Sequence, residues 1–243
     1  MTTPDSLRIR ADVRDAVLTR EQVLEWEARR IVAAARRLRV PAPAVGRVSD
    51  RREALLRAKL ELGPDEIRRR LRRDLVISDR LGTAEAALSP RRRRSVTRLL
   101  VTGGSAAAFV DWFRARSAES DELAMLRACP DHFVIRTDGD GRQEVIETTG
   151  GSPLATEFRV DYDDVATLVT PPDPSYPRQI AGVARGAGDR PIGGVRHQFR
   201  DTGDGFEALL TVEFPLPTLP RMVSGHRLHL ACEFSNWIEA AFT

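Results

Sequence analysis

Lysine is almost missing from this chain. Lys59 is the only one, and arginine supplies every other basic residue among the 38 Lys and Arg. A GC-rich coding sequence would produce that bias as readily as any function. Cysteine is scarce as well: Cys129 and Cys232 are the only two, which excludes a disulfide scaffold and suits a reducing, cytoplasmic setting. No run approaches the roughly 18 apolar residues of a membrane span, and residues 1–13 carry no apolar signal stretch. Neither a membrane nor secretion is therefore expected. What is present is ordinary for a folded protein: 42% hydrophobic and 30% charged residues over 243 positions. That is enough for one large domain, or for one domain with a helical extension.

The net charge of +3 conceals a split. Residues 1–100 hold 25 Arg and Lys against 14 Asp and Glu, and the rest of the chain is acidic. Nucleic acid is not expected as a partner, because the basic half has no recognisable reading motif. A solvated arginine face, one docked on the acidic half, or a homodimer through the N-terminal helices would use the charge instead.

Residues 1–105 read as an Arg-rich helical region. Thr19 is placed as an N-cap, and Val23, Trp26, Ile31 and Ala34 form an apolar stripe before Pro41. Ile67, Leu71 and Leu75 recur at spacing four after Gly63-Pro64, and Arg91–Arg94 is read as opening another helix. Residues 106–243 read differently. Short β-type runs begin at His132, Gln143, Thr156, Gln179, Gly194 and Phe206, and a helix is predicted from Ser224 onward. Strands followed by one long helix give an α+β fold in which the helix packs across an antiparallel sheet.

All four histidines, His132, His197, His226 and His229, lie in the second half. His229 and Glu233 are four apart on the predicted terminal helix, about 40° apart in projection, so both can grip one metal ion. A two-residue turn at Gly139-Asp140 would pair His132 directly with Glu147, about 5 Å apart on one sheet face. A helix laid over that face assembles two His and two carboxylates. Cys129, His132, His229 and Cys232 form a competing thiolate set that would favour structure over catalysis. Glu144 and Glu213 are fallback carboxylates, and His226, a spare candidate ligand one turn before His229, is expected at the surface.

Several short motifs, in order, carry a resemblance. Asp111-Trp112-Phe113, Cys129-Pro130-Asp131-His132 and Glu147 come first. Val195-Arg196-His197, Asp204-Gly205-Phe206-Glu207 and His229-Leu230-Ala231-Cys232-Glu233-Phe234-Ser235-Asn236 follow. Over about residues 108–240 the chain resembles the zinc-dependent 2,4-diacetylphloroglucinol hydrolases and the related phloretin-type C–C hydrolases. The resemblance implies a Bet v 1-like helix-grip domain at 106–243 and a Zn2+ held by His132, Glu147, His229 and Glu233. It departs from the family at Ile135, where an Asn is expected. The implied substrate is a small aromatic or polyketide-like molecule, cleaved between an acyl group and a phenolic or 1,3-dicarbonyl ring.

His197 shares an apolar strand face with Val195 and Phe199, so it is either a hydrogen-bonded core residue or a group lining a cavity, and in the second case it is the candidate general acid or base. Phe199, Phe206, Phe214 and Trp237 are candidates for the pocket wall. Two other functions fit the same sequence. One is a non-catalytic helix-grip protein that binds a hydrophobic small molecule. The other is a regulator that uses the basic helices to bind nucleic acid or a partner.

Overall fold

A computed structural model describes residues 7–14 and 16–243. The helices predicted between residues 19 and 88 form. Thr19 caps α1 (Arg20–Leu38) in a reciprocal box with Gln22, and Arg39 ends it in the left-handed conformation. The first half of α1 puts Val23 and Trp26 into the main core, and the second half puts Ile31, Ala35 and Leu38 into a second cluster. α2 (Val48–Leu88) is two helices end to end, broken at Gly63 (φ 69°) ahead of Pro64. Proline has no N–H for the preceding turn and disfavours helix in the residue before it.

The arginine run does not open a helix. It begins β3 (Arg92–Thr102), which pairs with β9 (Gly205–Pro215) along its whole length. Alternation explains the strand: Ser95, Thr97, Leu99 and Val101 point inward, with Val96, Arg98 and Leu100 between them. Half of the inward residues are hydroxylic, which mutes the period-two hydrophobic signal. Two more strands, β1 (Arg8–Val13) and β2 (Ala16–Leu18), lie beside β3. The first 105 residues therefore do not stand apart as a helical unit, because the sheet runs through them.

The remaining strands fall close to the expected runs. They are β4 (His132–Thr137), β5 (Gln143–Glu147), β6 (Thr156–Asp161), β7 (Arg178–Arg185) and β8 (Pro191–Asp201). Among the described residues, nine strands form one antiparallel sheet in the order β2-β1-β3-β9-β8-β7-β6-β5-β4. Two shorter helices, α3 (Ala106–Ala118) and α4 (Glu122–Arg127), precede β4. The last, α5 (Pro220–Phe242), starts at a proline in its first turn, four residues earlier than predicted.

α5 lies on the inner sheet face, where Phe109 of α3 packs against Phe199, Phe206 and Phe234. It is buried on more than the sheet side. Ser235 is 1% exposed, and Asn236 reaches the carbonyl of Ala128 and the carboxylate of Glu27. Arg20 of α1 pairs with Glu239 at 2.6 Å. The N-terminal helices thus cover α5 and the outer face of β4–β5, where Phe133, Val134 and Ile146 meet Ile31, Leu55 and Ile67. No helix among the described residues is long and apolar enough to cross a membrane.

Candidate metal centre

His132 and Glu147 are paired across β4 and β5, but not through the expected two-residue turn. Asp138 and Arg142 close a three-residue loop, with Gly141 at φ 79°. Thr137 consequently pairs with Gln143, and Val134 with Ile146. That register, continued, would place Phe133 opposite Glu147. A bulge between His132 and Val134 absorbs one residue and brings His132 back into place. It also switches faces: Phe133 and Val134 both join the outer cluster, whereas His132 and Ile135 look inward. Turn and bulge err by one residue in opposite senses, so the pairing survives.

α5 supplies the other two donors. His229 Nε2 lies 3.0 Å from His132 Nε2, and Glu233 Oε2 lies 3.0 Å from His132 Nε2 and 3.5 Å from His229 Nε2. Glu147 Oε2 is 3.7 Å and 3.6 Å from the same two nitrogens. Zinc bonds of about 2.0–2.1 Å give a tetrahedron edge of about 3.3 Å, which these five separations bracket. His132 Nδ1 faces the Met125 carbonyl at 3.4 Å. A proton there leaves the Nε2 lone pair free for a cation. With both imidazoles neutral and both carboxylates ionised, the buried group would carry negative charge that a divalent cation balances. The donor set therefore suits a divalent metal ion.

The protonation tendencies follow from burial and proximity. Burial would raise the Glu233 carboxyl, but His229 and His132 beside it more than reverse that and hold it well below the usual range. Burial dominates at Glu147 and pushes it up despite the same two histidines. His229 loses some basicity to burial and regains more from Cys129, Glu147 and Glu233.

Other donors converge on His229 as well. Cys129, His132 and His229 form one group within reach of a single ion, and Glu147, His226 and His229 form another. Cys129 Sγ lies 3.9 Å from His229 Nδ1, behind the ring from the Nε2 donors, and burial raises its thiol well above normal. Cys232 is in neither group: its Sγ points to the Ala128 carbonyl and receives Asn236 Nδ2. The four-membered thiolate set is thus not assembled. Glu144 faces outward to Arg68 and Arg136, and Glu213 accepts from the Val169 and Thr170 amides. Neither fallback carboxylate belongs to the cluster.

His226 is not at the surface. It is buried and stacks on His229 at 5.0 Å, and its Nδ1 has no partner. It helps line a cavity of about 300 Å3 that reaches His132, Glu147 and Glu233. Phe113, Phe158, Phe214 and Trp237 form part of the apolar wall, whereas Phe199 and Phe206 belong to the core. His197 is in the same wall, edge-on to Phe234 at 4.7 Å, with Nδ1 unpartnered. Burial lowers it to about 4, so the ring is neutral at pH 7. Tyr162 also lines the cavity and donates its hydroxyl to Gln143 Oε1 at 3.0 Å.

The backbone makes one close approach possible. Gly150, just after β5, has φ 55°, and a Cβ there would sit 2.2 Å from the backbone of Gly225 and His226. Glycine at both positions lets the loop after Glu147 touch α5 one turn before His229.

No protein-family model matches the chain, and no curated protein matches it. Fold and site together define a class: a mixed α and β protein whose antiparallel sheet carries a C-terminal helix, with buried His, Cys and Glu groups able to hold a metal ion.

Proposed function

We propose that the chain is a zinc-dependent hydrolase of the Bet v 1-like helix-grip type. In this reading it cleaves a C–C bond between an acyl group and a phenolic or 1,3-dicarbonyl ring. The observation that carries the reading is the position of the donors: His132, Glu147 and Glu233, gathered around His229, lie at one wall of a largely apolar, aromatic-lined cavity. A site serving structure alone has no need of such a cavity beside it, whereas a catalytic zinc needs a place for water or substrate, which a fifth coordination position facing the cavity would supply.

Bound zinc would polarise the acyl carbonyl and make water acidic enough to attack. The residues of the chain do the rest. Phe113, Phe158 and Trp237 bind the ring and keep bulk water away from it. His197, neutral at pH 7 with Nδ1 free, acts as a base rather than as an imidazolium acid. It takes a proton at Nδ1 from water or from a ring hydroxyl, and returns it to the ring carbon as that carbon leaves. Tyr162 and Gln143 offer a polar edge for ring oxygens. A reducing, cytoplasmic setting suits the two buried free cysteines.

The test is acyl release from acylated phloroglucinols by protein purified without added metal or a His tag, with metal content measured on the same sample. Metal at about one equivalent with hydrolysis that a chelator abolishes supports the reading. Tight binding of the same compounds by metal-free protein, without turnover, would make it a hydrophobic-ligand carrier.

A further inference from the structure

Arg30 of α1 reaches the residue that precedes the ligand His132. It grips Asp131 with two hydrogen bonds, Nε to Oδ2 at 2.8 Å and Nη2 to Oδ1 at 2.6 Å. The same Nη2 lies 3.5 Å from Thr148 Oγ1. Thr148 in turn donates its hydroxyl to Asp131 Oδ1 at 2.5 Å and its amide to the Asp131 carbonyl at 3.1 Å. Asp131 is fully buried, and its partner from α1 is one-fifth exposed.

The position of this clamp matters more than its strength. Asp131 immediately precedes His132 and Thr148 immediately follows Glu147. The clamp therefore joins the residues next to the ligand pair, on the far side of the bulge from the turn. Beyond the bulge, the turn no longer dictates pairing. If the ladder kept the register set by the loop at Gly139–Gly141, Phe133 would face Glu147, and His132 would share the outward face of Val134. A one-residue slip moves a side chain to the opposite face of a sheet. Something other than the turn must hold the shifted register, and the Asp131–Thr148 link is formed only in that register.

We propose that Arg30, acting through Asp131 and Thr148, is a positioning residue that selects the β4–β5 register in which His132 and Glu147 become ligands of one ion. The proposal rests on the metal-centre reading above, and it gives α1 a role in that centre. Supporting partners of metal ligands typically govern affinity by 10–100-fold.

The experiment is zinc affinity by chelator competition on full-length wild type, Arg30→Met, Thr148→Val and Arg68→Met, with urea unfolding of each metal-free protein. Arg30→Met should weaken zinc binding by at least about 10-fold. Thr148→Val keeps shape and the Arg30–Asp131 pair but loses the side-chain link between strands, and should weaken binding several-fold. Arg68→Met removes ion pairs to Glu144 and Glu157, on the stretch whose register the turn sets. It should stay within about 2-fold of wild type. Unchanged affinity in Arg30→Met overturns the proposal, as does an equal loss in Arg68→Met. Should Arg30→Met not fold, Thr148→Val decides, and wild-type affinity there overturns the proposal. Wild type that binds no zinc refutes the metal reading and the proposal together; wild type that binds zinc with indifferent variants refutes the proposal alone.

Discussion

The Nε2 atoms of His132 and His229 lie 3.0 Å apart although 97 residues separate them in the chain. Two such lone pairs repel unless a proton or a cation lies between them. Carboxylate oxygens of Glu147 and Glu233 sit within 3.7 Å of the same atoms, so the site is arranged to take positive charge.

The metal prediction follows directly. Protein purified without added metal should carry about one zinc per chain, measured by elemental analysis. His229→Ala and Glu233→Ala should each lose most of it, because each removes a donor that lies within 3.5 Å of another on the same ion site. Cys129→Ala should keep it, since that thiol lies behind the His229 ring. Full retention in both helix variants would sink the four-ligand assignment.

The His197 prediction is a pH dependence of stability. Burial lowers its folded pKa from the usual 6.5 to about 4, so the unfolded chain binds the extra proton first. Stability contributed by the neutral ring is complete above about pH 6.5 and is lost as pH falls towards 4. The full effect is on the order of 3 kcal/mol. Urea midpoints of wild type and His197→Gln should therefore converge, or cross, between pH 7 and pH 4.5 in favour of the variant. A constant difference across that range would show that His197 is not buried as a neutral ring.

Gly150→Ala should damage both fold and site. Its Cβ would meet the α5 backbone at 2.2 Å, in a left-handed conformation that alanine dislikes. Overpacking of this kind costs about 1–3 kcal/mol or more, and relief requires the loop to retreat from α5, taking Glu147 away from His229. Differential scanning calorimetry should show a lower midpoint, and zinc affinity should fall with it. A variant with wild-type zinc affinity would mean that the close approach does not position Glu147.

Glu27 is a buried carboxylate held by Arg52 at 2.5 Å and by Asn236. Arg52→Met should cost about 3–5 kcal/mol, because it strands a buried charge. Changing both residues, Glu27→Met with Arg52→Met, should recover much of that loss in urea unfolding. If the double variant is no more stable than the single, the ion pair itself rather than the stranded charge carries the energy.

Local rules made much of this architecture legible. Capping at Thr19, the break at Gly63-Pro64 and the period-two runs of β4 to β9 each depend on neighbours within a few residues, so the sequence alone locates them. The His229-x-x-x-Glu233 spacing likewise puts two donors on one helix face wherever that helix goes. Strand β3 was hidden, because its inward positions Ser95 and Thr97 carry hydroxyls. Thr97 is satisfied only by the Arg227 carbonyl on α5, a partner 130 residues away.

The facing of His132 and Glu147 shows the division most clearly. The sequence placed them on two arms of one hairpin, which local turn chemistry determines. Only the tertiary structure decided that they meet, because the three-residue turn alone pairs Glu147 with Phe133. The bulge at Phe133 restores the pairing, and Phe133 is drawn outward into a cluster with Ile31, Leu55 and Ile67 from the N-terminal helices. His226 became part of the cavity wall for the same kind of reason. Its helix is covered on several sides by elements far away in sequence, and no pattern within α5 records them.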